Sequence, residues 1–230
     1  CGCSSSAALT KRDMNRFFRL APTDETESLE FVEFIKYLNE TKNSGIKTVG
    51  LIYENTEFGK HAAEEGKAAA QAAGFKVVAD VAFNPGATNL NSEVQTLKAA
   101  DPDAVFGACL GGDYTLWVRT MKQMDWLPDV ALNYCTGYQD PIIAQQLGAD
   151  GDFFMGGTGY SPEFAELMPA VAAVEKIYMT KTNPSVPFDS DCIQEAIATL
   201  ILAQAMEMAG TTDYDAVLKV LHETEFESPM

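Results

Sequence analysis

Few residues in this 230-residue sequence could do chemistry, and their spacing narrows the choice further. The soft ligands and general-base candidates are two histidines, His61 and His222, and five cysteines, Cys1, Cys3, Cys109, Cys135 and Cys192. Cys1 and Cys3 stand too close for a zinc hairpin and neither histidine has a partner at ligand spacing, so no metal or redox site is expected. The thiols read as small buried apolar groups, and their odd number argues against a disulfide framework. His61 falls just inside a helix start and His222 near a helix end, which suits solvated or capping side chains. Glu64 and Glu65, and Glu223 and Glu225, read as solvated helix faces and tails. No glycine-rich dinucleotide turn, phosphate-binding loop or nucleophile elbow is present, so neither cofactor nor catalysis is expected.

What remains is a set of turns. Tyr53 to Gly59, Leu110 to Asp113, Cys135 to Tyr138 and Thr158 to Tyr160 all contain glycine, and three of the four carry an aromatic residue. Glycine admits close backbone approach and aromatic rings supply apolar walls, a combination suited to a small organic ligand. Ser4, Ser5 and Ser6 precede a helix-like Ala7-Ala8-Leu9, and hydroxyl and N–H groups at a helix start favour an anion. Any one of these turns alone reads better as a strand-to-helix reversal, and the serines equally well as a cap; the four turns together favour a site.

The elements that position these turns follow from periodicity. Ile46–Tyr53, Lys76–Phe83, Ala104–Leu110, Val130–Cys135 and Phe153–Thr158 read as buried strands. Gly59–Ala73, Asn91–Ala100, Tyr114–Met124 and Pro141–Leu147 read as the helices between them. This alternation predicts a doubly wound, flavodoxin-like parallel sheet covered on both faces, whose ligands bind outside the strands' carboxyl ends. Before this block come a strand-like Arg16–Leu20 and a helix over Glu25–Glu40 capped by Thr23 or Asp24. After it come helices over Ser161–Thr182, Ser190–Ala209 and Tyr214–His222. Gln194–Met208 is apolar nearly all round, which predicts burial between a sheet and another layer. The strands of that sheet are not found here, and the chain is expected to be a fragment.

Composition excludes some partners. Thirty-three acidic against 16 basic residues give a formal charge of -17, which repels nucleic acid and anionic membranes. The longest apolar run, Ala196 to Ala205, is broken by Thr199 and Gln204 and falls short of the roughly 18 to 20 residues of a membrane span.

The Ser-rich stretch ending in AALT, followed in order by FFRLAPTD, VGLIYENTEFGKHAAE, NPGATNLNSEVQTLKAADPDAVF, GGDYTLWVRTMKQM, TGYQDP and QAMEMAGTTDYDAVLKVLHET, resembles the type I periplasmic solute-binding proteins of ABC transporters, the branched-chain amino acid-binding group. The resemblance runs through nearly the whole chain. It implies two flavodoxin-like lobes: 1–21 and 161–230 as parts of an incomplete first lobe and 22–160 as the second. It also implies a hinged capture of a small carboxylate-bearing ligand and handover to a membrane permease, in the periplasm or outside the cell, with a lipid anchor supplied by a segment not present here.

In that frame Cys3, Ser4 and Ser5 grip the ligand carboxylate, Ser5 through its hydroxyl and Cys3 through its backbone. Phe58 and Leu110 match aromatic positions of the family, and Cys135 and Thr136 fall on a loop that commonly presents a carboxylate to the ligand ammonium. No carboxylate stands there. Either Asp113, Asp140 or Asp191 substitutes, with Asp191 preferred, or the ligand has no α-ammonium. Alternatives implied by the same fold are a receptor or transcription-regulator sensing domain. The exposed first-lobe helices also leave dimerisation open.

Overall fold

A computed structural model describes residues 1–12, 14–134, 137, 140–181 and 187–227. The chain divides into two compact units, one made of Cys1–Ser4, Ala8–Ala21 and Thr158–Met230, the other of Ser5–Ala7 and Pro22–Gly157.

The larger unit holds a five-stranded parallel sheet in the order β2-β1-β3-β4-β5. Its strands are β1 (Thr48–Glu54), β2 (Lys76–Phe83), β3 (Ala104–Ala108), β4 (Val130–Asn133) and β5 (Phe154–Gly156). The helices are α2 (Asp24–Lys42), α3 (Glu57–Ala72), α4 (Asn91–Ala100), α5 (Gly111–Gln123) and α6 (Pro141–Leu147). This is the doubly wound arrangement expected from the sequence. Strand order reverses beside β1, so the loops after β1 and β3 diverge there and form a rim at the carboxyl edge.

Period-2 alternation distributes the strand side chains between two cores. Ile52, Val105 and Ala131 face Leu90, Val94, Trp117 and Ile143 of one helical layer. Leu51, Phe106 and Leu132 face Phe31, Ile35, Ala62 and Ala70 of α2 and α3 on the other. The near-continuous apolar run of β3, buried at every position, is what a central parallel strand requires.

Helix α2 starts on Thr23, whose hydroxyl accepts the Thr26 N–H at 3.2 Å. Its first turn is buried against α3. Tyr134, fully buried, reaches Ser28 Oγ at 2.7 Å, and because that serine hydroxyl already donates to the Asp24 carbonyl at 2.6 Å, the tyrosine is the donor. A Cβ at Gly66 would lie 2.5 Å from the Tyr134 hydroxyl, so glycine makes room for it.

His61 corrects the expectation of a solvated or capping residue. It lies on α3 with only 15% of its side chain exposed, Nδ1 at 2.8 Å from the fully buried Asp24 and Nε2 at 3.6 Å from Glu65. The sequence period places it on the flank of α3; only the fold shows that the first turn of α2 lands there. Glu65, for the same reason, is not a freely solvated face.

The smaller unit is helical among the described residues. It contains α1 (Ala8–Lys11), α7 (Pro162–Leu167), α8 (Pro169–Lys181), α9 (Ser190–Ala209) and α10 (Tyr214–Glu223). The single helix expected over Ser161–Thr182 is two: Pro169 lacks an N–H and holds Met168 extended, at φ -122° and ψ 97°, which ends α7. No strand forms over Arg16–Leu20. Its backbone pairs instead with Cys1, which donates to the Phe18 carbonyl at 2.9 Å and accepts from the Leu20 N–H at 3.2 Å.

Two further expectations are corrected here. Helix α9 is long and apolar enough to cross a membrane by length and composition, with mean hydropathy 1.2. Much of its apolar surface is open, with Leu200 and Met208 exposed. A groove of about 580 Å³ runs along it, lined by Phe17, Phe18, Leu20, Ile201, Leu202 and Leu221. The cysteines also divide: Cys109 is buried, Cys1 exposed, and Cys3 and Cys192 are half-buried.

Candidate functional site

At the carboxyl edge of the larger unit, β1 ends on Glu54, and α3 starts immediately behind it. Thr56 caps α3 by accepting the Gly59 N–H at 3.0 Å. The helix comes so close that a Cβ on Gly59 would fall on the Glu54 carbonyl oxygen. Phe58, carried on this turn, packs half-buried against the α2/α3 core.

The Glu54 side chain turns the other way. Buried at 4% exposure, its Oε1 accepts the Leu110 N–H at 2.6 Å, fixing the turn between β3 and α5. Gly111 follows in the left-handed region at φ 48°, a conformation that a side chain disfavours. One helical step on, Asp113 is also buried, and its Oδ2 accepts the Gly86 N–H at 2.7 Å, which fixes the loop after β2.

Burial pushes the Glu54 carboxyl above the usual range; the Leu110 N–H pulls it down and Asp113 pushes it up again. Between them Cys109 is driven far up, first by burial and then by Glu54 and Asp113, so the thiol stays protonated. The end of β4, next in the row after β3, is held by Asn133, whose amide donates to the Cys109 and Tyr134 carbonyls at 3.1 and 2.8 Å, and whose oxygen accepts the Cys109 N–H at 3.1 Å. Gly137 lies against it, with no room for a Cβ beside Asn133 and Tyr114.

In the smaller unit, the first turn of α9 meets the chain start. Asp189 caps the helix by accepting the Cys192 N–H at 2.9 Å. Glu195 Oε1 accepts the Gly2 N–H at 3.0 Å and lies 3.7 Å from the Cys3 sulfur. Burial, then Asp191, then Glu195 push the Cys3 thiol up to about 12. Ser190 Oγ accepts the Gly159 N–H at 3.0 Å and a Gln194 amide hydrogen at 3.2 Å.

The residues singled out from the sequence thus fall into two groups. Phe58 and Leu110 share the rim of the larger unit, linked through Glu54. Cys3 and Asp191 meet in the smaller unit, where Ser4 accepts Arg19 Nη1 on its carbonyl at 3.4 Å. Ser5 belongs to the larger unit, buried, with its carbonyl accepting the Asp24 N–H at 3.1 Å. Cys135 and Thr136 lie outside the described residues. Asp113 is engaged with Gly86, and Asp140 caps α6 through the Ile142 N–H at 2.8 Å.

Sequence reasoning missed Glu54 and Glu195 as organising groups. Glu195 stands four residues after Asp191 on one helix, a spacing that could have flagged it.

The model of the periplasmic binding protein family matches residues 4–230. A leucine-binding protein of Thermotoga maritima MSB8 superposes with TM-score 0.80 at 18% identity, over 96% of this chain and 61% of that one. A type 1 periplasmic binding protein of Bordetella pertussis Tohama I gives 0.75 at 23%, over 93% and 58%. The fatty acid ABC transporter substrate-binding protein of Thermomonospora curvata gives 0.74 at 18%, over 88% and 52%. The chain therefore spans between about half and three fifths of the length of these structures. No curated protein matches its sequence.

Proposed function

The chain belongs to the periplasmic binding protein family, and from that premise we propose that it captures a small carboxylate-bearing solute, an amino acid or a related compound, for delivery to the permease of an ABC transporter. The observation that supports this most is the rim of the larger unit. Its backbone turns are fixed by buried carboxylates, leaving Phe58 and Leu110 as walls at the carboxyl edge of a parallel sheet, where this class of sheet binds ligands.

In this reading Cys3, Ser4 and Ser5 provide hydroxyl and N–H groups for the solute carboxylate. Asp191, with Glu195 beside it, provides the negative charge that an ammonium needs, since a buried unpaired cation costs several kcal/mol. Cys135 and Thr136 are further ligand contacts in the same reading. The solute is bound and released unchanged. Titration calorimetry across amino acids, aromatic acids and short amides tests this: saturable heat with at least one carboxylate-bearing compound is expected, and none with any of them overturns it.

A further inference from the structure

We propose that Glu54 is a positioning residue of the solute-binding rim, setting Phe58 and Leu110 relative to each other without touching the solute itself. This rests on the reading that the rim binds the solute.

Two features converge on Glu54. Its carbonyl is the surface against which the first turn of α3 is seated, with Gly59 bare of a side chain and the Thr56 N–H donating to that same oxygen at 2.8 Å. Its carboxylate, buried, holds the Leu110 N–H at 2.6 Å. Leu110 is the N-cap of α5 but makes no side-chain capping bond, so nothing in its own side chain fixes that turn. Gly111, at φ 48°, gives the turn a conformation that is open to change unless anchored. The anchor reaches across 56 residues of sequence from the neighbouring strand.

Asp113 extends the device. It stands on the same turn and grips Gly86 at 2.7 Å, so three loops, after β1, β2 and β3, are linked through two carboxylates. The two acids repel each other, and burial opposes the charge on Glu54. Such an arrangement costs folding stability. It fixes geometry, which is what a preorganised site needs.

The experiment compares Glu54→Gln, which keeps an acceptor of the same length, with Glu54→Leu, which keeps bulk and loses the acceptor, and Glu54→Asp, which is one methylene short. Amide hydrogen exchange is read at Leu110, with Val81 in β2 as the internal fold control. Exchange at Leu110 is expected to accelerate by roughly tenfold or more in Glu54→Leu and Glu54→Asp, the size of a lost hydrogen bond to a buried N–H, and to stay much nearer the parent rate in Glu54→Gln, whose amide oxygen still accepts. If Glu54→Leu fails to fold, Glu54→Asp carries the comparison.

Unchanged exchange in the acceptor-deficient variant, or Glu54→Gln exchanging as fast as it, overturns the proposal. Calorimetry with L-leucine on the same proteins reads the functional consequence. Affinity should fall about tenfold in Glu54→Asp and be rescued in Glu54→Gln. Affinity equal in all variants overturns the positioning role. Absence of binding in the parent counts against L-leucine as the solute and leaves the exchange test to decide on Glu54.

Discussion

Replacing Gly59 by alanine sets two effects of opposite sign against each other. Gly59 lies inside the first turn of α3, where the Gly-to-Ala change by itself favours the helix by about 1 kcal/mol. The added Cβ, however, falls on the Glu54 carbonyl oxygen, which is strand backbone and cannot rotate away. Relieving the contact means moving the start of α3 off β1, and overpacking of this kind costs typically 1–3 kcal/mol. Because the contact is with fixed backbone, the upper part of that range applies, about 2–3 kcal/mol; less the helix gain, Gly59→Ala is expected to be less stable than the parent by about 1–2 kcal/mol.

Gly112, in the first turn of α5, is the control. A Cβ there meets nothing within 4 Å, so Gly112→Ala should be neutral or stabilising by up to about 1 kcal/mol. Urea unfolding followed by tryptophan fluorescence reads both, since Trp117 is fully buried in the core of the same unit. A Gly59→Ala protein as stable as the parent would refute the close approach of α3 to β1, and with it the argument that this turn is held rather than loosely placed.

Further outcomes follow from the buried groups. Tyr134→Phe removes a buried donor to Ser28 and should cost about 1 kcal/mol by urea unfolding, while Gly66→Ala, forced against the same hydroxyl, should cost at least as much. The raised carboxyl of Glu54 means that the unfolded chain loses this proton at lower pH than the folded one. Its contribution to stability therefore falls as pH rises from about 4 toward neutrality, and Glu54→Gln should flatten that slope in stability measurements. Asp103 has the opposite sign: burial raises it, but the Lys47 and Thr48 N–H groups and the Thr48 hydroxyl bring it below its usual value, so its stabilisation is lost as pH falls through that lowered range, and Asp103→Asn should blunt the loss. Cys3, protonated up to about 12, should react with iodoacetamide at pH 8 more slowly than exposed Cys1, as read by peptide mass spectrometry.

The alternation of β and α elements was legible because burial imposes it locally. Lys76–Phe83, Asn91–Ala100, Pro141–Leu147 and Ser190–Ala209 form where apolar period, caps and terminal glycines put them. The errors fall where a local signal lacked its partner. RFFRL has strand composition, but pairing is a property of two segments, and among the described residues no strand lies beside this one, whose backbone bonds to Cys1 alone outside its own turn. The break at Pro169 was carried by a single residue that helix starts tolerate and helix interiors do not; its position within a long apolar stretch hid which of the two applied.

The candidate site was legible in its backbone and not in its supports. Glycine turns after strands announce a rim because the chain must reverse there whatever else it does. Glu54, by contrast, looks like any charged residue following an apolar run, and solvation is the ordinary fate of such a residue. What buries it is the approach of α3 from behind and the Leu110 turn from the side. Both are consequences of strand order, with β3 rather than β2 following β1 on that side of the sheet. The same holds for His61, whose partner Asp24 arrives from 37 positions away. A carboxylate whose partner is a distant backbone N–H leaves no trace in side-chain spacing, because the acceptor's identity matters and the donor's side chain does not. Positions of that kind become visible only once the register of the sheet is known.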